Sequence, residues 1–217
     1  MSHMEKRRGD RVAKLPTIRR LPRYLTVLRR LMSLGREVVS SSYLADELRV
    51  ERIVAKKDLE ITGITGRTGV GYVVADLIDA IEDFLGWNNT TEAFLVGVGN
   101  LGSALLGYEG FKSYGLDMIA AFDTDPSRIG RMVQGINVFS LDKLPDLAER
   151  MHIQMAVLTV PAESAQQVAD LLVNSGIRGI WNFTTINLRV PEGVLVQRED
   201  LAAGLAELSV KMRRDHE

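Results

Sequence analysis

Three glycines and one carboxylate carry the clearest chemistry in this sequence. Gly97, Gly99 and Gly102 stand in G-x-G-x-x-G register within GVGNLG, and Asp123 follows 21 residues beyond the last of them. That spacing serves a dinucleotide. The first glycine permits a tight turn after a strand, the second lets the backbone approach a pyrophosphate, and the third lets the next helix pack closely. The first turn of that helix offers amide donors to the anion. A carboxylate at Asp123 accepts hydrogen bonds from ribose hydroxyls and repels a 2′-phosphate, which selects NAD(H) over NADP(H). The cofactor-binding set then comprises Gly97, Val98, Gly99, Asn100, Leu101, Gly102, Asp123, Thr124 and Arg128, with Asp123 at the ribose and Arg128 over the adenine.

These residues need a strand before the glycines, a helix after them and a second strand ending at the acid. The sequence supplies an apolar run over 93–98, a helical stretch from the motif onward and a second apolar run, Met118 to Phe122. Further strands are predicted near Ile136 to Phe139, over Met155 to Pro161 and over Ile177 to Phe183, with a helix through Ala165, Val168, Ala169, Leu171 and Leu172 between the last two. This alternation is that of a doubly wound parallel sheet, the Rossmann architecture, so the fold class is α/β. Ligands of such sheets sit at the carboxyl ends of strands, which nominates Thr159, Val160, Pro161, Asn182 and Phe183 around a nicotinamide. An apolar pocket there desolvates the charged oxidised ring at greater cost and so favours NADH.

Charge divides the chain. Residues 1–72 carry 16 Lys/Arg against 8 Asp/Glu, whereas residues 73–217 carry 11 against 20, within a net charge of only −1. A basic third fused to an acidic remainder points to a polyanion as partner of the first part. From Thr17, the residues Ile18, Leu21, Leu25, Leu28 and Leu31 recur at helical spacing among arginines, and Pro22 is expected to break the run into a short first turn and a main helix. Ser40 to Ser42 cap a short helix bearing Leu44, Ala45 and Leu48; after a turn at 49–51, a second helix over 52–61 buries Ile53, Val54 and Leu59. Two short helices across a tight turn make a helix-turn-helix, whose second helix enters the major groove of duplex DNA. Candidate DNA contacts are Ser41, Ser42, Arg52, Lys56 and Lys57, joined by Arg67 near the tip of a glycine-rich β-wing, TGITGRTGVGY.

Four segments follow: a flexible basic arm, 1–15; a winged-helix DNA-binding domain with a connecting helix, 16–86; the Rossmann domain, 87–198; and a C-terminal helix, 199–217, with Leu201, Leu205 and Leu208 on one stripe. A two-fold operator calls for two copies, so this helix is expected to be exchanged in a homodimer. With no cysteine, the chain has no disulfide, thiolate metal site or cysteine nucleophile, and His3, His152 and His216 are too scattered for a metal site. No apolar run reaches the ~18 residues of a membrane span, and the opening MSHMEKRRGD lacks a signal-peptide core, so no membrane association and a cytoplasmic location are expected.

Taken in order, KKDL, TGRTGVGY, GVGNLG, AAFDTDPSRIGR, LTVPAE and GIWNF resemble the bacterial Rex family of NADH/NAD+-sensing transcriptional repressors over roughly residues 16–210. The resemblance implies a non-enzymatic dimer that NADH releases from operator DNA. It implies that Lys57 and Asp58 are the Lys-Asp of the recognition helix, with Lys56 standing where arginine is usual, and that Tyr108 and Asp200 exchange hydrogen bonds between subunits as the redox state changes. Thr26 stands where that exchange uses an arginine, leaving Arg23 or Arg29 as the nearest substitutes. Asn182-Phe183-Thr184-Thr185 replaces Asn-Phe-Ala-Pro, a more polar pocket floor. Two other readings are open: an NAD-dependent dehydrogenase with an N-terminal extension, against which stands the lack of a hydride-transfer acid/base pair, and a DNA-binding sensor of CoA or another nucleotide.

Overall fold

The computed structural model describes residues 14–214, without the side chains of Leu201 and Arg214. Nearly all of the predicted basic arm and the last three residues lie outside them. The chain divides into two compact units between Asn89 and Thr90.

The first unit begins with α1 (Leu15–Ser33), one continuous helix. The sequence predicts a break at Pro22, but the helix runs through it. Pro22 forfeits one backbone hydrogen bond, while Leu21, Tyr24, Leu25 and Leu28 on either side are fully buried, and their packing holds the helix together. Then come β1 (Val38–Val39), α2 (Ser41–Leu48), α3 (Arg52–Glu60), β2 (Tyr72–Val73) and α4 (Val74–Leu85). The Ser40 hydroxyl caps α2 by accepting from the Tyr43 amide at 3.1 Å. Arg49, in the left-handed conformation at φ 55°, ends α2. β1 and β2 pair antiparallel. The glycine-rich stretch closes as a tight hairpin in which Arg67 and Gly71 exchange backbone hydrogen bonds of 2.7 and 2.9 Å, placing Arg67 at its base and Thr68 to Val70 at its tip. The core combines the α1 residues with Leu44, Ala45, Leu48, Ala55, Leu59, Leu77 and Ile81. Ile53, predicted to be buried, is instead 54% exposed, and Ala55 and Asp58 take the inward positions. The rotation of α3 that buries Asp58 turns Ile53 outward.

The second unit contains β3 (Thr91–Val96), α5 (Asn100–Leu106), a 3₁₀ turn (Glu109–Tyr114), β4 (Leu116–Asp123), β5 (Met132–Val133), β6 (Ile136–Ser140), α6 (Leu144–Met151), β7 (Met155–Leu158), α7 (Ala162–Asn174), β8 (Gly179–Asn182), β9 (Leu195–Arg198) and α8 (Leu201–Arg214). Its sheet runs β5-β6-β4-β3-β7-β8-β9, with every pair parallel except the β5/β6 hairpin. Numbered from β3 without β5, this is the 3-2-1-4-5-6 order of a Rossmann sheet, and its switch point lies between β3 and β7. Along β3, Phe94 and Val96 pack on one face with Leu144, Ala165, Ala169 and Leu172, while Ala93 and Leu95 face the other layer with Leu105 and Phe111. A strand buried on both faces reads as an unbroken apolar run, which is why the sequence shows it so plainly.

Candidate functional site

At the switch point the chain turns sharply after β3. Gly97 has φ 101°, and a Cβ there would meet the Thr159 carbonyl at 2.8 Å; a Cβ on Gly102 would overlap the Gly97 carbonyl oxygen. Both positions require glycine on protein grounds alone. Gly99 differs: a Cβ there would meet nothing within 4 Å, so its side of the turn is open. The turn is tied to β7 by Thr159, whose amide donates to the Val96 carbonyl at 2.9 Å and whose hydroxyl donates to the Gly97 carbonyl at 2.7 Å. The sequence places Thr159 near a ligand; the structure adds this turn-holding role, which only a long-range contact reveals.

Asp123 ends β4 beside the turn and is nearly buried. Its Oδ2 accepts from the Val98 amide at 2.7 Å and its Oδ1 from the Asp125 amide at 2.9 Å. Burial pushes its pKa up more than any other single influence. Hydrogen bonds from the Asp125 amide, the Arg128 guanidinium and the Val98 amide together outweigh it and hold the carboxyl below its ordinary range. It is therefore a charged acceptor at neutral pH. Arg128, expected over an adenine, pairs with Asp123 at 3.0 Å and Asp125 at 3.5 Å. Thr124 is exposed, as are Asn100 and Leu101 at the start of α5.

Beyond β7 and β8, Val160 and Phe183 are half-buried and Pro161 is exposed at the start of α7. Asn182 is fully buried with both ends of its amide engaged, Nδ2 donating to the Ile186 carbonyl at 3.0 Å and Oδ1 accepting from the Thr184 amide at 2.9 Å. The Thr184 hydroxyl beside it is buried without a hydrogen-bond partner. Phe183 packs on Trp181 at 4.9 Å, Trp181 on Phe111 at 5.3 Å and Phe111 on Tyr108 at 4.8 Å. Tyr108 thus ends an aromatic row that begins at the carboxyl end of β8. Asp200 accepts from Arg198 at 2.9 Å and caps α8 through the Ala202 amide at 3.1 Å. Thr26 donates to the Pro22 carbonyl of its own helix at 3.1 Å. Arg23 donates to the Leu48 carbonyl at 3.3 Å and Arg29 to Glu82 at 2.7 Å. Among the described residues, no cluster of His, Asp or Glu could hold a metal ion.

In the first unit, α3 presents Arg52, Ile53, Lys56, Lys57 and Glu60 outward and Ala55, Asp58 and Leu59 inward. Asp58 is 1% exposed and accepts two bonds from Arg20, at 2.6 and 2.8 Å, and one from the Tyr24 hydroxyl at 3.2 Å. A two-pronged pair of this kind fixes orientation as well as distance. Burial, then the Asp58 charge, pushes the Tyr24 hydroxyl far above its ordinary range, while the hydrogen bond to Asp58 raises Arg20. Tyr24 is therefore a permanent donor. Of the two acids of α3, Asp58 is neutralised inward, so Lys56 and Lys57 face out unopposed by it, with Glu60 exposed at the end of the helix. Arg67 is exposed; Ser41 and Ser42 are half-buried in the first turn of α2.

Residues 88–186 match the family described as the CoA binding domain, and residues 15–60 match the putative DNA-binding protein N-terminus family. The redox-sensing transcriptional repressor Rex of Treponema denticola is 46% identical over 203 residues, 94% of this chain and 97% of its own. That of Bacteroides thetaiotaomicron is 44% identical over 191 residues, 88% of this chain and 87% of its own. Among solved structures, the Rex-family repressor RSP with β-NAD+ and operator DNA superimposes with a TM-score of 0.87 at 31% identity, covering 95% of each chain. RSP with β-NADH gives 0.86 at 30% identity, covering 95% of this chain and 97% of its own. Identity at this level, across a basic helix-turn-helix and a glycine turn closed by Asp123, makes the chain a member of the Rex family of redox-sensing transcriptional repressors.

Proposed function

We propose that this protein binds operator duplex DNA as a homodimer through α3 and the Arg67 hairpin, binds NAD(H) at the carboxyl end of its parallel sheet, and leaves the operator when NADH binds. The observation that carries the reading is the Asp123 carboxylate, held charged at the end of β4 and bonded to the Val98 amide of the glycine turn, in which Gly99 leaves open space. Those residues fit the group: Gly97 to Gly102 would hold the pyrophosphate, Asp123 the adenosine ribose, and Thr159, Val160, Pro161 and Phe183 the nicotinamide end. The bound dinucleotide supplies a redox signal, since only its oxidised ring is charged, and an apolar Phe183 face favours the neutral ring. Tyr108, at the end of the aromatic row, links that face to the surface. Exposed Leu205, Leu208, Val210 and Met212 on α8 support a dimer built with this helix. A DNA partner supports a cytoplasmic location, and no helix among the described residues is long and apolar enough to cross a membrane.

The test is a fluorescence titration with NADH, NADPH and CoA on the wild type and on Asp123→Ala. NADH should bind tightest to the wild type, and the substitution should weaken NADH while narrowing its margin over NADPH, because acceptor and repulsive charge vanish together. An unchanged NADPH/NADH affinity ratio in Asp123→Ala would remove Asp123 from the ribose. Tighter binding of CoA than of NADH would overturn the dinucleotide reading.

A further inference from the structure

The outward face of α3 carries one residue that neither the charge of the helix nor its packing explains. Ile53 is 54% exposed, one turn from Lys56 and Lys57 and next to Arg52. A loose helix would allow Ile53 to turn inward. This helix is not loose, because the two bonds from Arg20 and the one from Tyr24 to buried Asp58 fix its rotation. A large apolar side chain is thus held in water beside Arg52, Lys56 and Lys57, at the N-terminal end of the helix, which is the part that meets base edges in a helix-turn-helix. The partner of such a surface is an anion that also offers a small apolar group at groove depth. In the major groove of duplex DNA the thymine C5-methyl is that group; the other bases present donors and acceptors there. Branching at Cβ suits the task, since Ile in a helix keeps essentially one χ1 rotamer and loses little freedom on contact.

We propose that Ile53 packs on the C5-methyl of one thymine in each operator half-site and so sets a T·A pair at that position. The inference rests on the reading that α3 enters the major groove. It assigns Ile53 a specificity role distinct from the charge role of Lys56 and Lys57.

The experiment uses the full chain and the tightest duplex recovered from a randomised pool, in which each thymine is replaced in turn by deoxyuridine, a change that deletes one methyl group. At one position per half-site the replacement should weaken wild-type binding about fourfold, the effect of exposing one buried methyl. Ile53→Ala should bind the unmodified duplex more weakly by a similar factor and be indifferent to deoxyuridine at that position only. Because Ile53 is exposed, its thermal midpoint and NADH affinity should match the wild type, which separates lost contact from lost fold. Equal deoxyuridine effects in the two proteins at every thymine would overturn the proposal. If Lys57→Ala still flattens the salt dependence in that case, DNA binding through α3 stands and only the role of Ile53 falls. If the protein recovers no preferred sequence at all, both fall.

Discussion

At the residue scale, the three glycines of the turn do different jobs, and the difference can be measured. Gly97 and Gly102 are required by the protein, since any side chain at either meets backbone; Gly99 has φ −72° and open space where a side chain would go. Gly99→Ala should therefore fold with stability within about 0.5 kcal/mol of the wild type and bind NADH at least tenfold more weakly, whereas Gly102→Ala should lose stability whether or not NADH is present. Paired thermal melts and NADH titrations check this, and a Gly99→Ala protein with wild-type NADH affinity would show that the pyrophosphate lies elsewhere. The glycine spacing and Asp123 were legible in the sequence because backbone geometry fixes both the residue type and the interval. Thr159 as a clamp on the turn was not, because its partners Val96 and Gly97 lie more than 60 residues away. Asn182 shows the same gap: strand-end position nominated it, but nothing local reveals that both ends of its amide are already engaged.

At the element scale, the orientation of α3 depends on a pair that bridges 38 residues of sequence. Removing a partner from a buried ion pair typically costs 3–5 kcal/mol; Arg20 retains 22% side-chain exposure, so Asp58→Ala should cost about 3 kcal/mol, at the low end. In a double-mutant cycle with Arg20→Ala the two losses should not add, and the loss should appear in chemical denaturation of the first unit. Additive losses would mean that the pair does not lock the helix. Helix periodicity made α1, α2 and α3 visible in the sequence, yet it misjudged two details for one reason. Propensity cannot weigh tertiary packing, which carried α1 through Pro22 and turned Ile53 outward in favour of Asp58. The strand β9 escaped because it is four residues long and only partly covered, so it shows no apolar run.

At the scale of the whole molecule, Thr26 stands where the Rex resemblance leads one to expect a switch arginine. Its hydroxyl is spent on its own helix, and Asp200 already pairs with Arg198 in the same chain. Restoring the cation with Thr26→Arg should widen the difference in operator affinity between the NAD+ and NADH states by about 1 kcal/mol, within the usual range of coupling energies. A difference equal to that of the wild type, with NADH binding intact, would show that position 26 does not govern the switch. The basic third and the acidic remainder were legible from charge alone, but which cation faces Asp200 was not, since it is set by chain geometry around α8. One chain couples dinucleotide redox state to DNA binding, so operator affinity at one fixed salt concentration should differ between saturating NAD+ and saturating NADH. Binding should be at least about fivefold weaker with NADH; equal affinity in the two states would mean that the dinucleotide does not switch DNA binding.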